Sequence, residues 1–110
     1  MPILDMTVYD ALKEAAGADF ILELMETFFE DAYKQMEQMK TALSVQDAET
    51  FRRAAHSLKS NAATFGAMEL SGLARELEMM GRDQNFEVGN RLDALNEAFE
   101  SVKAQLVALR

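Results

Sequence analysis

The chain has no cysteine, one proline, one histidine and only five glycines among its 110 residues. Without cysteine there is no disulfide framework and no thiolate zinc site, while the compartment stays open, since exported proteins also dispense with the residue. The proline is Pro2, so no pyrrolidine ring interrupts a helix further along. No stretch of four or more residues alternates apolar and polar in a β-branched context, which excludes a sheet as the organising element. No run comes near the roughly 18 apolar residues of a membrane span. The start, MPILDMTVYD, lacks a basic region ahead of an apolar one, so the expectation is a soluble, unprocessed chain without membrane insertion. Basic residues are outnumbered, 11 against 19 acidic, for a net charge of −8. Duplex binding depends on Lys and Arg displacing counterions, and this balance excludes a general nucleic-acid binder.

What is present is helical periodicity on a 49% hydrophobic chain, enough for one domain, residues 1–110, around one core. A short first helix is expected over Thr7–Ala16, with Asp10 at capping-box spacing from Thr7 and Gly17 ending it. Asp19 is placed to cap a long second helix, whose Ile21, Met25, Phe28, Ala32, Met36, Met39 and Leu43 form one stripe and Leu22, Phe29 and Tyr33 a second. Asp47 begins a third helix that ends near Gly66. The fourth runs over Ala67–Met80 and buries Leu70, Leu73, Ala74 and Leu77, with Gly72 permitting a close neighbour and Gly81 ending it. After the polar GRDQN loop, Val88, Leu92, Leu95, Phe99, Val102, Leu106 and Leu109 keep the four-three repeat of an antiparallel bundle seam. The fold class predicted is all-α, an antiparallel up-down-up-down four-helix bundle with a short N-terminal helix. The methionines, Met36, Met39, Met79 and Met80 among them, read as core filling rather than as a binding groove.

His56 departs from this pattern. Phe51, Ala55, Leu58, Ala62 and Phe65 line one face of the third helix, and at about 100° per residue His56 lies about 160° from Leu58. The ring is therefore expected in solvent, with Lys59 at i+3, and Ser60 and Ala63 as small neighbours on the same side. Arg52 and Arg53 precede it, making a basic patch on an acidic chain, although Glu49 and Arg53 also suit ordinary i, i+4 pairing. One histidine cannot supply the paired Glu-x-x-His motifs of a bundle di-metal centre, so no metal is expected on this chain. Ser57 and Ser60 lie near His56, but residues one apart on a helix, as His56 and Ser57 are, face different directions, and nothing provides an oxyanion hole, which argues against hydrolysis. No P-loop or kinase signature occurs, so the chain has no means of taking a phosphoryl group from ATP itself.

The segment HSLKSNAATFGA resembles the signature of the histidine-containing phosphotransfer (HPt) domain, a His followed by an apolar residue, a Lys, small residues and Gly-Ala at the helix end. His56, Leu58, Lys59, Gly66 and Ala67 match it in register. DFILELMETFFED, DAETFRRAAHS and LARELE extend the resemblance to HPt domains at the C-termini of hybrid sensor kinases. Ser60 departs from it, standing where family members very often have Gly.

The resemblance implies a cytoplasmic, monomeric phosphocarrier without kinase activity of its own. His56 would accept a phosphoryl group from a receiver-domain phospho-aspartate and pass it to another receiver, with Lys59 neutralising charge on the phosphoryl oxygens and Glu78 orienting the imidazole. Arg52 and Arg53 would steer an acidic receiver pocket. From the architecture rather than the resemblance, small Ser60 and Ala63 with apolar Val8 and Leu12 of the first helix are expected to offer a shallow docking surface around His56. The expected partners are response-regulator receivers and a hybrid sensor kinase. No cofactor is expected on this chain, Mg2+ coming with the receiver. A kinase dimerisation domain fits less well, because Ser57 stands where those domains typically have Glu and no proline follows. An adaptor bundle that binds receivers without carrying phosphate is the alternative reading.

Overall fold

The computed structural model describes residues 3–110. Five helices follow one another: α1 (Met6–Ala16), α2 (Phe20–Ser44), α3 (Ala48–Thr64), α4 (Met68–Arg82) and α5 (Arg91–Ala108), with no strand among the described residues. Short connections make successive long helices antiparallel. α3 packs between α2 and α4, α5 closes the bundle against α4 and α2, and α1 lies across α2 and α3. The stripes that the sequence predicts meet in one core, in which Met25, Met39, Phe51, Leu58, Leu70, Leu77, Leu95, Phe99 and Leu106 are fully buried. Aromatic contacts cross-link it. Phe28 stacks on Phe65 at 4.9 Å between ring centroids and meets Phe99 edge-on at 5.8 Å, tying α2 to α5 and to the end of α3. The methionines divide: Met39 is core, Met36 and Met80 are half-buried, and Met79 is exposed.

The helix ends show where local signals sufficed. Asp47 caps α3 as expected, its carboxylate accepting from the Thr50 backbone N–H at 3.1 Å and from the Thr50 hydroxyl at 2.7 Å. These two bonds hold the Asp47 carboxyl below the usual carboxylate range. α1 begins a residue earlier than predicted, because Asp5 rather than Thr7 is its cap, accepting from the Thr7 N–H at 3.0 Å. Asp19 makes no side-chain cap: its backbone is already helical, at φ −83° and ψ −43°, whereas capping needs an extended residue.

Three further expectations are corrected. Gly72 is exposed and nothing crowds it, while Gly81 lies buried inside α4, which continues to Arg82. A Cβ at position 81 would sit 3.0 Å from the Phe51 ring and 3.1 Å from the Arg52 Cα and N, so Gly81 is the glycine that lets α3 and α4 approach. Its place follows from the stripe Leu70, Ala74, Leu77 and Gly81, spaced four, three and four. Val88 is buried but precedes α5. Its carbonyl instead accepts from the Arg91 N–H at 3.0 Å, where that helix starts. No helix is long and apolar enough to cross a membrane among the described residues.

Candidate functional site

The close approach of α3 and α4 has a chemical consequence one turn from Gly81. Small residues along the seam, Ala55, Ala62 and Ala74, are all fully buried, so the helices lie near enough for a side chain as short as Glu to bridge them. Glu78 of α4 reaches across to two residues of α3. Its Oε2 lies 2.6 Å from His56 Nδ1, and its Oε1 accepts from Lys59 Nζ at 2.7 Å. The register is also pinned by Ser71, whose hydroxyl donates to the Lys59 carbonyl at 3.0 Å.

The three side chains grade outward in exposure, Glu78 at 16%, Lys59 at 28% and His56 at 54%. Burial pulls the Glu78 carboxyl upward, but hydrogen bonds from Lys59 and His56, with their charges, outweigh it and leave the group below the ordinary carboxylate range. An ionised carboxylate can only accept, so Nδ1 carries the proton in this contact and the lone pair of a neutral ring resides on Nε2, the nitrogen turned away from Glu78. The site is thus an oriented, half-exposed nucleophile with an ammonium group one turn along the helix. Glu78 is already engaged by both neighbours, and among the described residues no group of three or more His, Cys, Asp and Glu is arranged to hold a metal.

A carboxylate whose pKa is lowered by folding stabilises the native state fully above its unfolded value, and that contribution is lost as pH falls through the folded value. The ordinary glutamate value is 4.5. Acidification below it is therefore expected to cost the wild type more melting temperature than it costs Glu78→Gln, which has no charge to lose. Thermal melts at about pH 6 and about pH 3 check this, and equal losses in the two proteins would sink it.

The remaining candidates are distributed along α3 and around it. Arg52 pairs with Glu49 at 2.7 Å and Arg53 approaches the same carboxylate at 3.5 Å, so the i, i+4 pairing read from the sequence coexists with the basic patch. Ser60 is exposed and Ala63 half-buried on the helix that carries the ring. Val8 is half-buried and sits against Gly66, ten residues beyond His56, or about 15 Å of helix rise. Leu12 is half-buried against the core. The structure therefore brings His56, Lys59 and Glu78 into contact, sets Arg52 and Arg53 one turn away, and places Val8 at the far end of the same helix. Ser71 escaped the sequence reading, and its one signal is a seven-residue spacing, two turns, from Glu78 on the α3-facing side of α4.

A family model described as the Hpt domain matches residues 23–110. No curated protein matches the chain significantly. Among solved structures the chain is similar to the crystal structure of histidine-containing phosphotransfer protein B (HptB) from Pseudomonas aeruginosa PAO1, with 28% identity and a TM-score of 0.88 over 94% of this chain and 90% of that one.

Proposed function

The chain belongs to the Hpt domain family, and we propose that His56 is the residue through which it performs the family's histidine phosphotransfer in a phosphorelay. The observation that carries this reading is the bridge from Glu78 to both His56 and Lys59. In the forward step the Nε2 lone pair attacks the phosphorus of a receiver's phospho-aspartate. The phosphorus–oxygen bond breaks as the phosphorus–nitrogen bond forms, and the receiver's aspartate leaves as a free carboxylate. Glu78 holds the proton on Nδ1 and offsets the positive charge that the ring gains. Lys59 is within reach of the moving phosphoryl oxygens, where positioning and electrostatics supply most of the catalysis. The magnesium this chemistry uses belongs to the receiver. The reverse sequence delivers the group to the next receiver. The protein acts as a cytoplasmic monomer, and it does not phosphorylate itself from ATP.

The test is transfer of label from a phosphorylated, magnesium-loaded receiver. Label on this chain that is labile to acid and stable to base identifies a phosphohistidine. A well-folded chain that stays unlabelled across a broad receiver panel would instead favour the adaptor reading. Glu78→Ala removes both contacts of the bridge, and transfer to it is expected to slow by about tenfold or more, the equivalent of about 1.4 kcal/mol in the barrier. A wild-type rate in that variant would show that the ring needs no orienting partner. Ser60 is exposed on the same helix, so Ser60→Trp should fold normally yet transfer about tenfold more slowly by obstructing the docking face. Unchanged transfer there would remove Ser60 from that face.

A further inference from the structure

Charge is distributed unevenly over this acidic molecule. Residues 48–82, comprising α3, α4 and their connection, hold five Lys and Arg against four Asp and Glu, whereas the rest of the chain holds six against fifteen. Two of those cations gather at one end of the helix pair, each with a carboxylate nearby. Arg52 lies one turn before His56 on α3, and Arg82 lies four residues after Glu78 on α4, a spacing that puts it on the same side of the helix as Glu78. Gly81 brings the two backbones together at this end, since a Cβ there would meet Arg52 backbone atoms at 3.1 Å. Beside the contact lies a shallow depression of about 200 Å³, lined by Ala48, Glu49, Arg52, Gly81, Arg82 and Gln84.

The two guanidinium groups differ. Arg52 is one-third exposed and committed to Glu49 at 2.7 Å. Arg82 is 65% exposed, and its one ion pair among the described residues is a 3.7 Å approach of Nε to Asp83. Most of its five donors remain available to an incoming group.

We propose that this depression selects the receiver: a carboxylate side chain bordering the receiver's phospho-aspartate pocket enters it, and Arg82 is the specificity-determining contact. The proposal rests on the reading of His56 as the phosphoacceptor. The depression begins one helical turn from the ring, so it is continuous with the surface that a receiver covers to reach Nε2. Its two cations favour an acidic side chain and reject a basic one. Because Glu49 holds Arg52 at 2.7 Å while Asp83 only approaches the Arg82 Nε at 3.7 Å, Arg82 is the less committed cation, and discrimination falls on that residue.

The experiment compares wild type, Arg82→Gln and Arg82→Glu in two transfers. Phosphoramidate, a small donor that needs no docking, passes its phosphoryl group to the ring nitrogen as one phosphorus–nitrogen bond breaks, another forms and ammonia leaves. Phosphorylated receivers provide the second donor. All three proteins are expected to react with phosphoramidate at the same rate. Transfer from receivers is expected to slow by about tenfold in Arg82→Glu and less in Arg82→Gln, in the receiver concentration giving half-maximal rate rather than in the limiting rate, with a flatter salt dependence in Arg82→Gln. Wild-type receiver kinetics in both variants, or slower labling by phosphoramidate, overturn the proposal. If phosphoramidate leaves His56 of the wild type itself unlabelled, the phosphoacceptor reading fails, and this proposal fails with it.

Discussion

His56→Gln is expected to take up no acid-labile label from any receiver while melting at nearly the wild-type temperature. The chain has no second histidine to substitute for it. Lys59 presents a protonated amine, and Ser57 and Ser60 have no base beside them to activate a hydroxyl, so nothing else on this face is a competent nucleophile. The fold should not notice the change. The ring is 54% exposed, Gln is at least as good a helix former as His, and its amide can still donate to Glu78. Glu78 also keeps its bond from Lys59 at 2.7 Å, so the half-buried carboxylate is not left without a partner. A stability change within about 0.5 kcal/mol is expected, as for other exposed substitutions. Label transfer and a thermal melt on the same preparation check both halves. Residual acid-labile label on the variant would place the nucleophile elsewhere.

Gly66→Val is expected to have the largest effect on stability, about 3 kcal/mol or more. Two costs coincide at this residue. Its φ is +81°, in the left-handed region where a β-branched side chain is strained. A Cβ would also lie 2.7 Å from the Asp5 carbonyl oxygen and 3.1 Å from the Val8 Cβ, and a backbone carbonyl cannot swing aside as a flexible side chain does. The Gly66 carbonyl meanwhile accepts from the Asp5 N–H at 2.8 Å, so the same residue seats the start of α1. Relief requires α1 to lift away, exposing Leu4 and Tyr9, which are almost completely buried.

Urea denaturation measures the loss. Tyr9 reports where it occurs, because burial first and Asp10 second push its phenol above the ordinary value of 10.0. A spectrophotometric titration should show that ionisation returning toward the ordinary value in the variant. An unchanged urea midpoint would mean that α1 is not seated through Gly66. Gly66→Ala provides the same comparison if the valine variant does not accumulate in folded form.

Most of the helix plan was legible because helical periodicity is a local property. Residues three and four apart share a face whatever the rest of the chain does, so the exposure of His56 opposite Leu58 and the burial of Phe51, Ala55, Ala62 and Phe65 could be read by counting. Lys59, one turn from the ring, was legible on the same basis. Caps were less so. Asp5 and Thr7 are both acceptable cap residues, and the choice falls to Asp5 because its N–H is tied to the Gly66 carbonyl, a contact 61 residues away in sequence. Gly72 and Gly81 look alike in composition, and only the line of approach of α3 separates the glycine that is crowded from the one that faces solvent.

The sequence by itself determined that the chain is all-helical, which faces are apolar, that one imidazole stands in solvent beside a cation, and which family the motif around it resembles. Tertiary structure alone decided that Glu78 bonds both His56 and Lys59, and that Arg52 and Arg82 border one depression. Those pairings depend on how close two helix axes lie and how far one has slid along the other. Both quantities are set jointly by Gly81, the alanines of the seam and the turn at Gly66, and no single segment contains them.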